Sequence, residues 1–240
     1  MDKSFFKQHI SRQFNEELEG IVKQVMAMGG LVEQQVGDAV AALVEGDSEK
    51  AEQVTTSDYK VNAMEVALDE ECTHILARRQ PTASDLRLVM AVIKTIADLE
   101  RMGDEAERIG RMALHLLDRD RQVAPMEDLA AMGAHVQKML RGVLDAFARM
   151  DVEQAVRVAQ QDIHTDSLYE EITRQLMAVM REDPESIPRI MDIMWAARSL
   201  ERIGDRADNI CEYVVYFVKG KNVRHTSYEQ MTEEATGDRH

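Results

Sequence analysis

At 240 residues the chain can bury a sizeable core, and four prolines, 5% aromatic side chains and sixteen methionines disfavour a sandwich or barrel. Long helices packed through Leu, Met, Val and Ala suit it, so the expected class is all-α. A formal charge of −15 repels phosphate backbones and anionic headgroups, which argues against nucleic-acid binding and electrostatic membrane docking and favours cations or basic partner surfaces.

In chain order, Phe14, Leu18, Ile21, Val25, Met28 and Val32 open a stripe in three- and four-residue steps that continues to Leu43, the face of one long amphipathic helix. Gly46-Asp47 ends it. A second helix is expected from Ser48 to Arg79, closed by Pro81, and a third from Thr82 to about Leu117. Charge and a proline over Asp118–Pro125 read as a linker. The plan then repeats: Leu129 to Met150, Val152 to about Met180, a break over Arg181–Pro188, and a last helix to about Val218. The expected architecture is two tandem three-helix bundles from an internal duplication, over residues 1–117 and 126–220, followed by a polar, mobile tail over 221–240.

The duplication is explicit in one stretch. Glu100-Arg101-Met102-Gly103-Asp104 recurs as Glu201-Arg202-Ile203-Gly204-Asp205, and Glu107 recurs as Asp208, each 101 positions on (201 − 100, 205 − 104, 208 − 107). Asp47 and Asp151 correspond at 104 (151 − 47). Carboxylates at i, i+4 and i+7 share one helix face, where they repel one another and something must neutralise them. Arg101, Arg108, Arg202 and Arg206 allow a plain reading as structural salt bridges. Against it, the second helix of each repeat brings further acids towards the same region: Asp58, Glu65 and Asp69, then Asp162, Asp166 and Glu170. Converging carboxylates without histidine suit hard cations such as Mg²⁺, Mn²⁺, Ca²⁺ or oxidised iron. Gly103 and Gly204 would let a neighbouring helix or ligand approach closely, or serve simple close packing.

Around these residues the chain closely resembles the PhoU family of bacterial phosphate uptake regulators. The resemblance rests on the duplicated Glu-Arg-Met/Ile-Gly-Asp, on Arg79-Gln80-Pro81-Thr82-Ala83-Ser84-Asp85, on Met28-Gly29-Gly30-Leu31-Val32-Glu33 and on Leu144-Asp145-Ala146-Phe147. It implies a non-catalytic, usually dimeric protein that represses the phosphate-starvation response when phosphate is plentiful. It also implies two partners, the ATPase subunit of the phosphate ABC transporter and the sensor histidine kinase of the phosphate regulon. Metal clusters in some members imply ligand pairs here: Glu100 with Asp104 and Glu201 with Asp205, facing Glu65 with Asp69 and Asp166 with Glu170. Glu107 and Asp208 complete the expected metal set. At the 104 offset Glu65 and Asp69 meet Tyr169 and Thr173, so the second site is expected to be rebuilt around Asp166 and Glu170.

Two other readings remain. A di-metal carboxylate enzyme of the ferritin-like kind wants two Glu-x-x-His elements, and only Glu71-Cys72-Thr73-His74 fits. A metal-free helical adaptor would use the acids as salt bridges only. Cys72 and Cys211 lack metal-site spacing and are expected as reduced, buried thiols. No apolar run reaches a membrane span of roughly 18 residues and no leader is evident, so a cytoplasmic location is expected. Tyr213, Tyr216, Phe217, Lys219 and Lys221 are candidates for a partner or dimer surface, and no arginine-rich cradle for phosphate is apparent.

Overall fold

The computed structural model describes residues 12–117 and 125–237, and every regular element among them is helical. Helix α1 (Arg12–Glu45) ends where Gly46 turns to a left-handed φ of 68°, which glycine adopts without a Cβ clash. Asp47 then caps α2 (Ser48–Ser57) by accepting from the Lys50 amide at 3.1 Å. Asp151 does the same before α6 (Val152–Ala159), accepting from the Gln154 amide at 2.8 Å, so the duplication extends to single capping side chains. The remaining helices are α3 (Tyr59–Arg79), α4 (Ala83–Leu117), α5 (Met126–Arg149), α7 (Asp162–Glu182), α8 (Ile187–Lys219) and α9 (Tyr228–Thr236).

In each repeat two long helices pack with a broken rod: α1 and α4 with α2–α3, and α5 and α8 with α6–α7. The long helices also meet across the repeats, α4 against α8 and α1 against α5, giving one continuous core. Leu18, Val32, Leu88, Leu99, Leu140 and Ile203 are completely buried there, each contributing about 1.5–3 kcal/mol of apolar burial. α4 and α8 run antiparallel, since Asp98 meets Arg206 and Tyr213 while Glu105 meets Ser199 and Arg202.

The structure corrects several expectations. The helix expected over Ser48–Arg79 parts at Asp58, and the one over Val152–Met180 parts at Gln160–Gln161. At the first break the Thr55 and Thr56 hydroxyls bond back to the Glu52 carbonyl, at 3.0 and 2.7 Å, and Ser57 to Val54 at 3.4 Å, competition that bends helices. At the second, the Gln161 amide donates to the Val158 carbonyl at 2.9 Å, a tightened three-residue step. α8 begins before Pro188, with the proline in its first turn, where a missing N–H leaves no bond unmade.

The tail expected to lack regular structure instead forms α9, opened by a capping box between Ser227 and Gln230. Met231 and Ala235 are buried, and α9 packs on α6. Phe217, expected on a partner surface, is fully buried and meets Phe147 edge-on at 5.5 Å between ring centroids. Of the expected linker 118–125 only Pro125 falls within the described residues; residues 1–11 and 238–240 also lie outside them. No helix among the described residues is long and apolar enough to cross a membrane.

Candidate metal centres

Each break in a rod delivers an aspartate to the long helix beside it. At the first, oxygens of Asp58, Asp104 and Glu107 lie within 4.8 Å of one another. At the second, Asp162 and Asp166 meet Asp205 within the same limit. Asp58 and Asp162 are equivalent at the 104 offset (162 − 58). The approach depends on glycine: a Cβ on Gly103 would lie 3.0 Å from Asp58 Oδ1, and one on Gly204 2.9 Å from Asp162 Oδ1.

Of the expected ligands, Asp104, Glu107, Asp166 and Asp205 fall in these groups. Glu100 and Glu65 flank the first: burial, then Asp104 and Glu65, push the Glu100 carboxyl above its usual range. Glu201 and Asp208 flank the second and are discussed below. The structure brings neither Asp69 nor Glu170 into either group, and both are exposed. The acids at the breaks, Asp58 and Asp162, face the long helices in both repeats, and Asp166, as expected, joins the second group alone.

The acids are costly to ionise where they stand. Asp162 is 7% exposed, and burial, followed by the charges of Asp205, Asp208 and Asp166, pushes its carboxyl up to about 7. Asp208 reaches about 7 through burial, then Glu212 and Asp205. Burial and Asp205 raise Glu201, while burial and then Asp104 and Glu107 raise Asp58 against a hydrogen bond from Asn62 that lowers it. Asp58 Oδ1, Asp162 Oδ1, Glu201 Oε2 and Asp208 Oδ1 are buried and have no hydrogen-bond partner.

The expected arginine partners are engaged elsewhere. Arg206 and Arg101 pair with Asp98, at 3.3 and 4.0 Å, and Arg202 and Arg108 with Glu105, at 3.0 and 3.1 Å. Glu107 has Arg111 at 2.6 Å and Glu201 has Arg198. Among the described residues no basic side chain forms an ion pair with Asp58, Asp104, Asp162, Asp166 or Asp205. All-oxygen donors that share one ion at about 2.4 Å can be no more than about 4.8 Å apart. Both groups meet that geometry, so they fit a hard cation.

A family model, the PhoU domain, matches the chain twice, over residues 25–113 and 129–214. The chain belongs to the PhoU family. It is similar to the phosphate-specific transport system accessory protein PhoU of Serratia marcescens, 53% identical and covering 94% of this chain and 92% of that protein. The crystal structure of PhoU from Pseudomonas aeruginosa matches it with a TM-score of 0.85 at 50% identity, covering 87% of this chain and all of that one. That of the phosphate transport system regulatory protein PhoU from Streptococcus pneumoniae matches with 0.82 at 33%, covering 88% and 99%. These relatives are named as accessory and regulatory proteins, and this PhoU chain is of that kind, not an enzyme. His74 of Glu71-Cys72-Thr73-His74 stands on the surface.

Sequence reasoning missed three features of this PhoU fold. The seam acids Asp98 and Glu105, 3% and 5% exposed, were missed because their partners across the seam, Arg206 and Tyr213, and Ser199 and Arg202, lie some hundred residues away. A groove of about 700 Å³ beside the first site brings Arg108, Arg111, Arg202 and Trp195 next to Asp104 and Glu107. Tyr228 of α9 lies against the second site, where burial and then Asp208, Asp162 and Asp166 push its phenol well above the usual value.

Proposed function

We propose that this chain is a non-catalytic regulator of phosphate homeostasis that links the phosphate ABC transporter, through its ATPase subunit, to the sensor histidine kinase of the phosphate regulon. It represses that regulon when phosphate is plentiful and modulates phosphate uptake. The observation that carries this reading is the double PhoU-domain match together with a relative named for the phosphate-specific transport system along nearly its whole length. The protein works as a homodimer in the cytoplasm.

Hard divalent or trivalent cations, Mg²⁺, Mn²⁺, Ca²⁺ or oxidised iron, bind at the two acidic sites. Asp58 with Asp104 and Glu107 holds the first, and Asp162 with Asp166 and Asp205 the second. A bound cation supplies charge neutralisation and a cross-link between each broken rod and the long helix beside it. The surfaces offered to partners then depend on whether the rods are held, since burying these carboxylates unpaired is unfavourable.

Deletion of the gene should leave phosphate-starvation genes switched on in phosphate-rich medium, and normal repression in the deletion strain would sink the reading. The cation part is tested separately by metal analysis of protein purified without chelator. Alanine at Asp58, Asp104, Asp162 and Asp205 should abolish the recovered metal; unchanged stoichiometry would leave the metal-free adaptor standing.

A further inference from the structure

The two repeats differ at the floor of their sites. Gln35 of α1 is 3% exposed, yet neither its amide oxygen nor its amide nitrogen has a hydrogen-bond partner. Its Oε1 lies 3.4 Å from the point a Cβ on Gly103 would occupy, and Asp58 Oδ1 lies 3.0 Å from that same point. Two oxygen acceptors thus converge on the backbone of α4 at the residue next to Asp104, and neither has a hydrogen-bond donor. Asn62 uses its amide nitrogen on Asp58 Oδ2 at 3.0 Å, and its own Oδ1 is buried and unpartnered.

The matching positions of the second repeat carry no carboxamide. At the 104 offset (139 − 35, 166 − 62, 165 − 61), Gln35 becomes Met139, Asn62 becomes Asp166 and Val61 becomes Thr165. There the hydroxyl of Thr165 donates to Met139 Sδ at 3.2 Å, so no polar side chain is left unpaired at those two positions, while Asp162 Oδ1 stands unpartnered as Asp58 Oδ1 does. A buried carboxamide with both ends unpaired is unfavourable, and a bound ligand that pairs with it removes that cost. Amide oxygens are ordinary ligands for hard cations.

We infer that Gln35 is a cation ligand of the first site, which binds through a mixed carboxylate and carboxamide set while the second binds through carboxylates alone. The inference rests on the cation reading given above. It makes the duplicated sites unequal: the first has neutral oxygens where the second has the charge of Asp166.

The test is calorimetric titration of Mn²⁺, Mg²⁺ and Ca²⁺ into the chelator-treated full chain carrying Asp166→Asn and Asp205→Asn, so that only the first site reports. Replacing Gln35 by Met, the residue the second repeat uses, should weaken first-site binding about ten-fold or more, the range seen when ligand-shell groups are lost. It should also raise the melting temperature in chelator, because two orphaned polar atoms are removed. Gln35→Glu is the opposite probe, expected to tighten Mn²⁺ binding while lowering the melting temperature in chelator. If the parent chain and the unmodified protein bind none of the three ions, the cation reading itself fails. If they bind and Gln35→Met binds equally well, or Gln35→Glu fails to tighten binding, the role assigned to Gln35 is wrong and the sites at Asp104 and Asp205 stand without it.

Discussion

Replacing Asp162 by Asn should stabilise the metal-free protein and destabilise the metal-loaded one. The carboxyl is pushed from 3.8 up to about 7, a difference worth about 4 kcal/mol of ionisation cost. Asp205, Asp208 and Asp166 share the cost by taking up protons in place of Asp162, so the expected gain is smaller, about 3 kcal/mol. The sign follows from proton linkage: the folded state holds this proton to higher pH than the unfolded chain. Wild-type stability therefore falls as pH rises from about 4 to about 7 and stays reduced above that, while Asn mimics the protonated form throughout. Urea melts in chelator should show wild type and Asp162→Asn nearly equal at about pH 4, diverging to about 3 kcal/mol at about pH 8, or roughly 6–12 °C in Tm. Saturating Mn²⁺ at the higher pH should reverse the order, because the ion binds only the ionised wild-type site. Curves that stay parallel across pH would show that Asp162 ionises without penalty; Mn²⁺ stabilising both proteins equally would remove it from the site.

Trp195 is the sole tryptophan and lines the groove with Asp104 and Glu107, so Mn²⁺ should quench its fluorescence through the first site. Asp104→Asn should abolish that quenching and Asp205→Asn should leave it; the reverse pattern would misplace the groove. Gly204→Ala should cost about 1–3 kcal/mol in urea denaturation, because its Cβ would sit 2.9 Å from both Asp162 Oδ1 and Thr165 Cγ2. A loss below about 0.5 kcal/mol would mean that the rod yields freely there. Arg206→Ala should cost about 3 kcal/mol by stranding buried Asp98, which keeps only the Tyr213 hydroxyl at 2.8 Å and the Arg101 contact at 4.0 Å. Adding Asp98→Asn should recover most of that loss, and failure to recover would place the damage in packing instead.

Periodicity and composition sufficed for the long helices, since α1, α4, α5 and α8 each carry a sustained apolar stripe and clear punctuation at Gly46, Pro81, Pro125 or Gly220. The breaks at Asp58 and Gln160–Gln161 escaped because the apolar period runs through them. The causes, back-bonding of Thr55, Thr56 and Ser57 at the first and the tightened step from Gln161 to Val158 at the second, are local hydrogen bonds that hydrophobic spacing does not register. α9 was written in Ser227-Tyr228-Glu229-Gln230, a capping-box pattern overlooked because the helix behind it is short and polar. The motif on α4 and α8 pointed to Asp104 and Asp205 directly. Choosing their facing partners needed the rotation of α3 and α7, which the breaks set, and this is why Asp58 and Asp162 displaced Asp69 and Glu170.

The seam between α4 and α8 sets the two halves apart. Under the 101-residue equivalence, the Asp98–Arg206 pair and the Glu105–Ser199 bond are the same contact seen from the two halves, because Asp98 corresponds to Ser199 and Glu105 to Arg206. Two copies of the first half docked in this way would set Asp98 against Glu105 twice over, four carboxylates with only Arg101, the counterpart of Arg202, to answer them across the seam. Two copies of the second half would set Ser199 against Arg206 and leave the guanidinium without an anion. The seam as it stands is satisfied by unlike halves, so these side chains fit each half to the other better than to a copy of itself.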